Sequence, residues 1–305
     1  MKKLSFLICL SALSLVLNAC TFKKAELGTE ENPVKFLFVP SVDVKVIDTN
    51  TKVLKEWFEA NSPYKYKIIV PHSFIAVVEA FGAKRADVAF INTFGYLLAN
   101  QKYGAEARLK VVRFGKTTYQ AQIVAKKGRF KDVKELNGKT FAFVDPASLS
   151  GYILPLKFLR DQGIKLGDTK FAMKHDNVIS MIYQGQVDAG ATFYSPPNPE
   201  EGGIQDARRL VKAQYPDIEE KVEILTLTGE IPNDPIIFAK ELSEEMKQTI
   251  ADTFMKFVKT PEGKEALKKL SSVDDVQPAT DADYDIVREM VKEAGLDPEE
   301  ALKKN

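Results

Sequence analysis

An alternation of short β-rich runs with amphipathic segments, met twice along the chain, constrains the fold more than any other feature. Residues 34–39 form an apolar run closed by Pro40, and 52–60 carry Val53, Leu54, Trp57 and Phe58 at helical spacing. A β-rich run at 66–70 ends at Pro71, residues 74–81 place Val77, Val78 and Phe81 on one helical face, and 87–91 read as a buried strand. The order then recurs: strand 140–144, helix 152–162 stopped by Gly163, strand 170–173, helix 178–183 ended by Gly185, and strand 188–193. Such alternation predicts right-handed βαβ units, a mostly parallel sheet and helices on both faces. Two series predict an α/β fold of two similar lobes, which suits 305 residues at roughly 150 per domain.

Two extended stretches link the series. Residues 118–125 carry the chain from the first lobe to the second, and 222–228 lead back through Pro232 and Pro235 to 236–239. Two crossings make a hinge. Residues 243–258, 261–270 and 282–294 read as closing helices with cap signals at Ser243, Thr260-Pro261 and Asp281. Packed back on the first lobe, they make it discontinuous: 33–120 with 229–305, against 121–228 for the second.

The N-terminus adds an address. Met1-Lys2-Lys3 precedes an apolar run to Leu17, too short to span a bilayer, so residues 1–19 read as a signal peptide. Its ending, Leu17-Asn18-Ala19-Cys20, resembles a bacterial lipobox, which implies cleavage before Cys20 and a diacylglycerol on its thiol, holding the protein to a lipid bilayer. Residues 20–32 are polar and read as a tether. Lys+Arg 43 against Asp+Glu 42 leaves no basic excess for nucleic acid. Both cysteines lie in the first twenty residues, so no zinc cluster or stapled domain is expected.

The chemistry concentrates in Asp145-Pro146-Ala147-Ser148-Leu149-Ser150-Gly151-Tyr152, where a strand turns into a helix near Ser150 or Gly151. A helix N-terminus exposes unpaired N–H groups and about half a positive charge, and hydroxyls at alternate positions add donors, so the segment reads as an oxyanion seat. A serine there also serves as a plain cap. Gly151 allows close backbone approach. His175, one of two histidines, opens a helix and can donate a hydrogen bond.

This segment with Pro155 resembles the ligand loop of the phosphonate-binding family of periplasmic solute receptors. Asp87-Val88-Ala89-Phe90, Lys174-His175-Asp176, Gln186-Val187-Asp188-Ala189 and Asn233-Asp234-Pro235-Ile236-Ile237 extend the resemblance over about 34–270. It implies a two-lobe periplasmic binding protein fold whose hinge closes a cleft on a small anionic ligand, a phosphorus oxyanion (phosphonate, phosphite or phosphate), and delivers it to an ABC transporter permease. Ser148 and Ser150 match the family's hydroxyl pair, His175 a histidine that binds the anion, and Asp234 an acid that closes the pocket from lobe one. Leu149 replaces a hydroxyl common in the family, Phe74 and Ile91 stand where pocket tyrosines are usual, and Ser195 where some members carry an acid. Asn92, Thr93, Tyr96 and Tyr194 are the candidates to compensate. Gly151, Tyr152, Phe74 and Ile91 complete the expected lining.

The expectation is a lipid-anchored, monomeric solute receptor without cofactor or metal. A sensor of the same fold serving a membrane histidine kinase is the alternative, as is a receptor for another small anion. No nucleophile–base pair or phosphate loop points to an enzyme.

Overall fold

The computed structural model describes residues 25–39, 44–197 and 203–293. The signal segment, Cys20, Pro40 and the end of the last predicted helix lie outside the described residues. The first series contains β1 (Val34–Phe38), α1 (Val44–Asn61), β2 (Tyr66–Ile69), α2 (Phe74–Gly82), β3 (Val88–Phe90), α3 (Thr93–Tyr103) and β4 (Glu106–Val112). After the crossing strand β5 (Thr118–Lys126), the second contains β6 (Phe141–Phe143), α4 (Leu154–Asp161), β7 (Thr169–Phe171), α5 (His175–Tyr183), β8 (Ala189–Tyr194) and the single turn α6 (Ile218–Lys221). The return strand β9 (Val222–Pro232) leads to β10 (Pro235–Phe238), α7 (Glu244–Phe257), α8 (Pro261–Ser271), β11 (Asp275–Pro278) and α9 (Asp285–Glu293).

The strands form two sheets, β11-β4-β10-β3-β1-β2 and β7-β6-β8-β5-β9. Neither is mostly parallel. In the first, β1 runs parallel to β2 and β3, but returning β10 lies antiparallel between β3 and β4, and β11 is antiparallel to β4. In the second, β6 is parallel to β7 and β8, whereas β5 is antiparallel to both β8 and β9. The crossings account for most of this: β10 re-enters lobe one directly after β9 and runs against β3 and β4, and β5 enters lobe two running against β8; β11 comes after the closing helices. They also pair with each other, from Thr118 opposite Pro232 to Lys126 opposite Val222, so the hinge is a two-stranded ribbon.

The closing helices pack on lobe one through an aromatic cluster. On α1, Ile47, Leu54 and Phe58 recur at the 3.6 period and face inward. Phe58 meets Phe254 at 5.6 Å and Phe257 at 5.8 Å between ring centroids, edge to face, and Tyr66 at 5.4 Å. Ser243 and Thr260 cap α7 and α8 by accepting from Met246 N at 3.2 Å and Gly263 N at 3.0 Å. Asp281 is not the last cap: Thr280 takes that place, and the Asp281 carboxylate instead accepts from the Tyr96 hydroxyl and the Arg288 guanidinium. The described part of the expected tether is also folded. Gly28 N donates to Asn32 O at 2.8 Å, Lys65 N donates to Gly28 O at 2.7 Å, and Leu27 packs on the core.

Phe58 is fully buried, and truncating such a ring leaves a void its neighbours fill only in part. Phe58→Ala is expected to lower stability by about 3–5 kcal/mol in urea unfolding. Val46→Ala, on the exposed side of α1, should stay within about 0.5 kcal/mol.

Candidate functional site

The loop between β6 and α4 is built by Asp145. Its carboxylate accepts from Ala147 N at 2.8 Å and its carbonyl from Ser148 N at 2.9 Å, folding the chain into a turn. Burial raises the Asp145 carboxyl, and the Ala147 amide partly offsets that. Residues Leu149–Ile153 then wind one wide π turn, with Ile153 N donating to Ser148 O at 3.1 Å, before α4 begins. Ser148 Oγ accepts from Gly151 N at 3.1 Å, so this serine is a cap as well as a cavity residue. Gly151 is needed for close approach to the protein's own strand: a Cβ there would lie 2.4 Å from Val144 Cγ2.

A cavity of about 70 Å³ separates the lobes at this loop. Water needs roughly 10–15 Å³ of such space, so the cavity takes on the order of five non-hydrogen atoms. Lobe two lines it with Ser148, Leu149, Ser150, His175, Ser195 and Arg209; lobe one contributes Phe74, Asn92, Arg113, Asp234 and Ser272, and the crossing strand supplies Tyr119.

Arg113 sits at the base of the two-residue turn Phe114-Gly115, both with positive φ (51° and 68°), which returns the chain from β4 toward β5. Its Nη2 donates to Asp234 Oδ2 at 2.7 Å and its Nε to Ser271 O at 2.6 Å. Asn233 fixes this arrangement. Fully buried, it donates Nδ2 to Val111 O at 3.1 Å and Lys116 O at 2.8 Å, and its backbone N donates to Thr117 O at 2.8 Å.

Arg209, from the 3₁₀ turn Ala207–Val211, reaches across the cleft and donates to Ser272 Oγ. Ser272 ends α8 in the left-handed region at φ 53°. No carboxylate among the described residues forms an ion pair with Arg209; nearby Asp206 is engaged by Arg208 at 2.8 Å. Burial, then the charge of Arg113, lowers the Arg209 guanidinium to about 10, and its buried Nε has no partner. His175 packs edge-on against Phe193 at 5.0 Å, with Nδ1 also buried and without a partner. Burial, helped by Arg113, pushes His175 down to about 3, so it is a neutral ring at neutral pH. Burial, followed by the Asp234 charge, raises the Tyr119 phenol well above the usual range. Hydrogen-bond donors thus reach the cavity from both lobes.

Of the residues expected from sequence, Ser148, Ser150, His175, Asp234 and Phe74 meet at this cavity. Gly151, Tyr152 and Ile91 do not line it. Tyr152 meets Phe143 and Phe171 edge to face, and Ile91 is fully buried against Gly95. Asn92 lines the cavity and bridges the lobes, donating to Ala147 O at 3.0 Å, whereas the Thr93 and Tyr96 hydroxyls are spent on Pro232 O and Asp281. Arg113, Arg209, Tyr119 and Ser272 were not anticipated. Their signal was slight: a charged residue closing an apolar strand, and an Arg-Arg pair in an unassigned segment.

Two α/β lobes joined by a two-stranded hinge, with a small cavity between them into which both lobes bring polar side chains, define a two-lobe ligand receptor. The family described as ABC transporter, phosphonate, periplasmic substrate-binding protein matches residues 36–284, and the chain belongs to it. It is 25% identical over 170 residues to the phosphate-import protein PhnD of Mycolicibacterium smegmatis, covering 51% of this chain and 53% of that protein. To the phosphonates-binding periplasmic protein of Escherichia coli it is 24% identical over 206 residues, covering 65% of this chain and 58% of that one. The match thus spans little more than half the length of these curated relatives. The fold is similar to that of PhnD1 from Prochlorococcus marinus in complex with methylphosphonate, with a TM-score of 0.72 at 17% identity over 86% of this chain and 98% of that one.

His175 makes stability depend on pH. Its folded pKa of about 3 lies below the ordinary 6.5, so below 6.5 the unfolded chain binds a proton that the folded chain does not. Stability is therefore lost as pH falls from 6.5 toward 3, by up to about 1.4 kcal/mol per pH unit. Urea unfolding between pH 7 and 5 should show this extra loss in the wild type and not in His175→Gln; equal slopes would mean that the ring is free to protonate.

Proposed function

We propose that the protein is the solute-binding component of an ABC importer and binds a phosphorus oxyanion (phosphonate, phosphite or phosphate) in the inter-lobe cavity. The observation that carries this reading is the pair of buried, partnerless nitrogens, Arg209 Nε and His175 Nδ1, in a cavity also lined by Ser148 and Ser150. An arginine N–H can only donate, and leaving it unpaired out of water is costly. A compact oxyanion offers acceptors in every direction and matches the cavity's size.

Asp234 narrows the class. One of its oxygens is held by Arg113, and its carboxylate lines the cavity. A carboxylate disfavours a fully ionised neighbour such as sulfate but accepts from a P–OH group. The phosphate and phosphonate in the relatives' names, and the methylphosphonate held by PhnD1, support the same class. Ligand would draw together lobe one (33–120 with 229–305) and lobe two (121–228) about β5 and β9, and the closed form would dock on the permease.

A charge-assisted hydrogen bond is worth roughly 1.5–3 kcal/mol, so Ser150→Ala should weaken binding about ten- to a hundredfold. Titration calorimetry with phosphate, phosphite, methylphosphonate and sulfate reads this out. Phosphorus oxyanions should outrank sulfate, and Asp234→Asn should narrow the gap. Unchanged affinity in Ser150→Ala would reduce that serine to a structural residue.

The reading includes a lipid anchor, supported by the sequence Leu17-Asn18-Ala19-Cys20. Two acyl chains hold where one is marginal, since each buried CH₂ contributes about 0.8 kcal/mol. Cys20→Ser should move the protein from the membrane to the soluble fraction; a variant that stays with the membrane would remove the anchor from the account.

A further inference from the structure

We propose that Arg113 and Arg209, carried by opposite lobes, form a cross-cleft pair that makes closure conditional on an anion, so that charge and not shape alone decides which ligands close the protein. The inference rests on the anion reading above for the identity of the ligand, but not for the behaviour of the empty protein.

Both guanidiniums line one small cavity, Arg113 from the turn after β4 and Arg209 from the 3₁₀ turn before α6. Among the other charged groups here, Asp234 is paired with Arg113, and Asp206 is held by Arg208 through three contacts, its backbone N at 2.9 Å, Nε at 3.0 Å and Nη2 at 2.8 Å. His175 is neutral and offsets nothing. One positive charge is left over, and it belongs to Arg209. In an open cleft water solvates that charge. Closure removes the water and brings Arg113 toward it, which lowers the guanidinium below its ordinary range.

What closure returns to Arg209 is one hydrogen bond to a neutral hydroxyl, Ser272 Oγ. Such a bond does not offset the burial of an unpaired charge. An oxyanion does, because it balances the charge, accepts from the vacant Nε and lies between the two like charges. A neutral molecule of the same shape leaves the excess charge in place. Arg209 is thus a specificity-determining residue as well as a ligand contact.

Hydrogen-exchange mass spectrometry on the full chain, in detergent and in an oxyanion-free buffer, tests this at the cleft segments 145–151 and 270–274. Wild type should exchange freely when empty and gain protection with inorganic phosphate or methylphosphonate. Arg209→Gln, which keeps a donor but loses the charge, should be protected when empty by on the order of tenfold. Arg209→Lys should behave as wild type. Arg113→Gln, which frees Asp234 to balance Arg209, should also protect the empty cleft and covers the case in which Arg209→Gln fails to fold. Empty-state exchange in the two Gln variants equal to wild type would overturn the proposal. If the Gln variants close empty but neither phosphate nor methylphosphonate protects the wild type, the ligand assignment falls and the charge dependence stands.

Discussion

The binding side of lobe one hangs on the buried amide of Asn233. By holding Val111 O and Lys116 O with its side chain and Thr117 O with its backbone, it ties the outgoing crossing to the returning one. Arg113 lies within the span it clamps, Tyr119 lies two residues past Thr117 in the paired ribbon, and Asp234 follows Asn233 directly. Three cavity residues from two distant stretches of the chain are thereby placed by one residue. Because the clamp sits at the lobe-one end of the β5–β9 ribbon, those residues are fixed to lobe one. Ser148, Ser150, His175 and Arg209 belong to lobe two, so the cavity is made by both lobes together.

The polar groups at the cleft divide into satisfied and unsatisfied sets. Arg113 has both a carboxylate and a carbonyl, and Asn92 bridges to Ala147 O while its Oδ1 caps α3 from Gly95 N at 2.7 Å. These groups are structural first. Arg209 Nε and His175 Nδ1 are buried without partners, and buried polar atoms in folded proteins nearly always have one. A ring that burial keeps neutral costs less to hold in a dry cavity than an imidazolium beside two guanidiniums, and it still has one N–H to donate. The cavity thus carries its positive charge on arginine, which burial does not readily deprotonate, and the histidine there is a neutral ring.

The alternation of strands and helices was legible because each element's inward face follows its own period: Phe141 and Phe143 pack on one side of the lobe-two sheet, Ala142 and Val144 on the other. The caps at Ser243 and Thr260 were legible because they are local chemistry. Strand direction was not, since no residue in β10 records which way its neighbours run. Helix α3 escaped for a different reason. Thr93 through Ala99 are all buried, so its first two turns carry no polar face and no amphipathic stripe. At the site, the loop serines and His175 could be read from a local motif, whereas Arg113, Tyr119 and Arg209 converge only through the crossings. Ile91 was misplaced because its position directly after β3 does not say whether the side chain meets the cavity or the underside of α3.

Leu149 shows why a receptor built this way needs an opposing charge. Where the related pattern has a hydroxyl, this chain places a leucine that lines the cavity and joins the apolar cluster of lobe one together with Ala147 and Ile153. Burying a leucine is worth roughly 1.5–3 kcal/mol, and that gain accrues on closure whether or not a ligand is present. Taken alone it would populate an empty closed form, and a receptor whose closed form is already populated responds less to its ligand. The excess guanidinium acts in the opposite sense on the same motion: its burial opposes closure until an anion balances it. Apolar contact supplies affinity for closing, charge supplies the condition, and the two reach the cleft on residues sixty positions apart, Leu149 and Arg209.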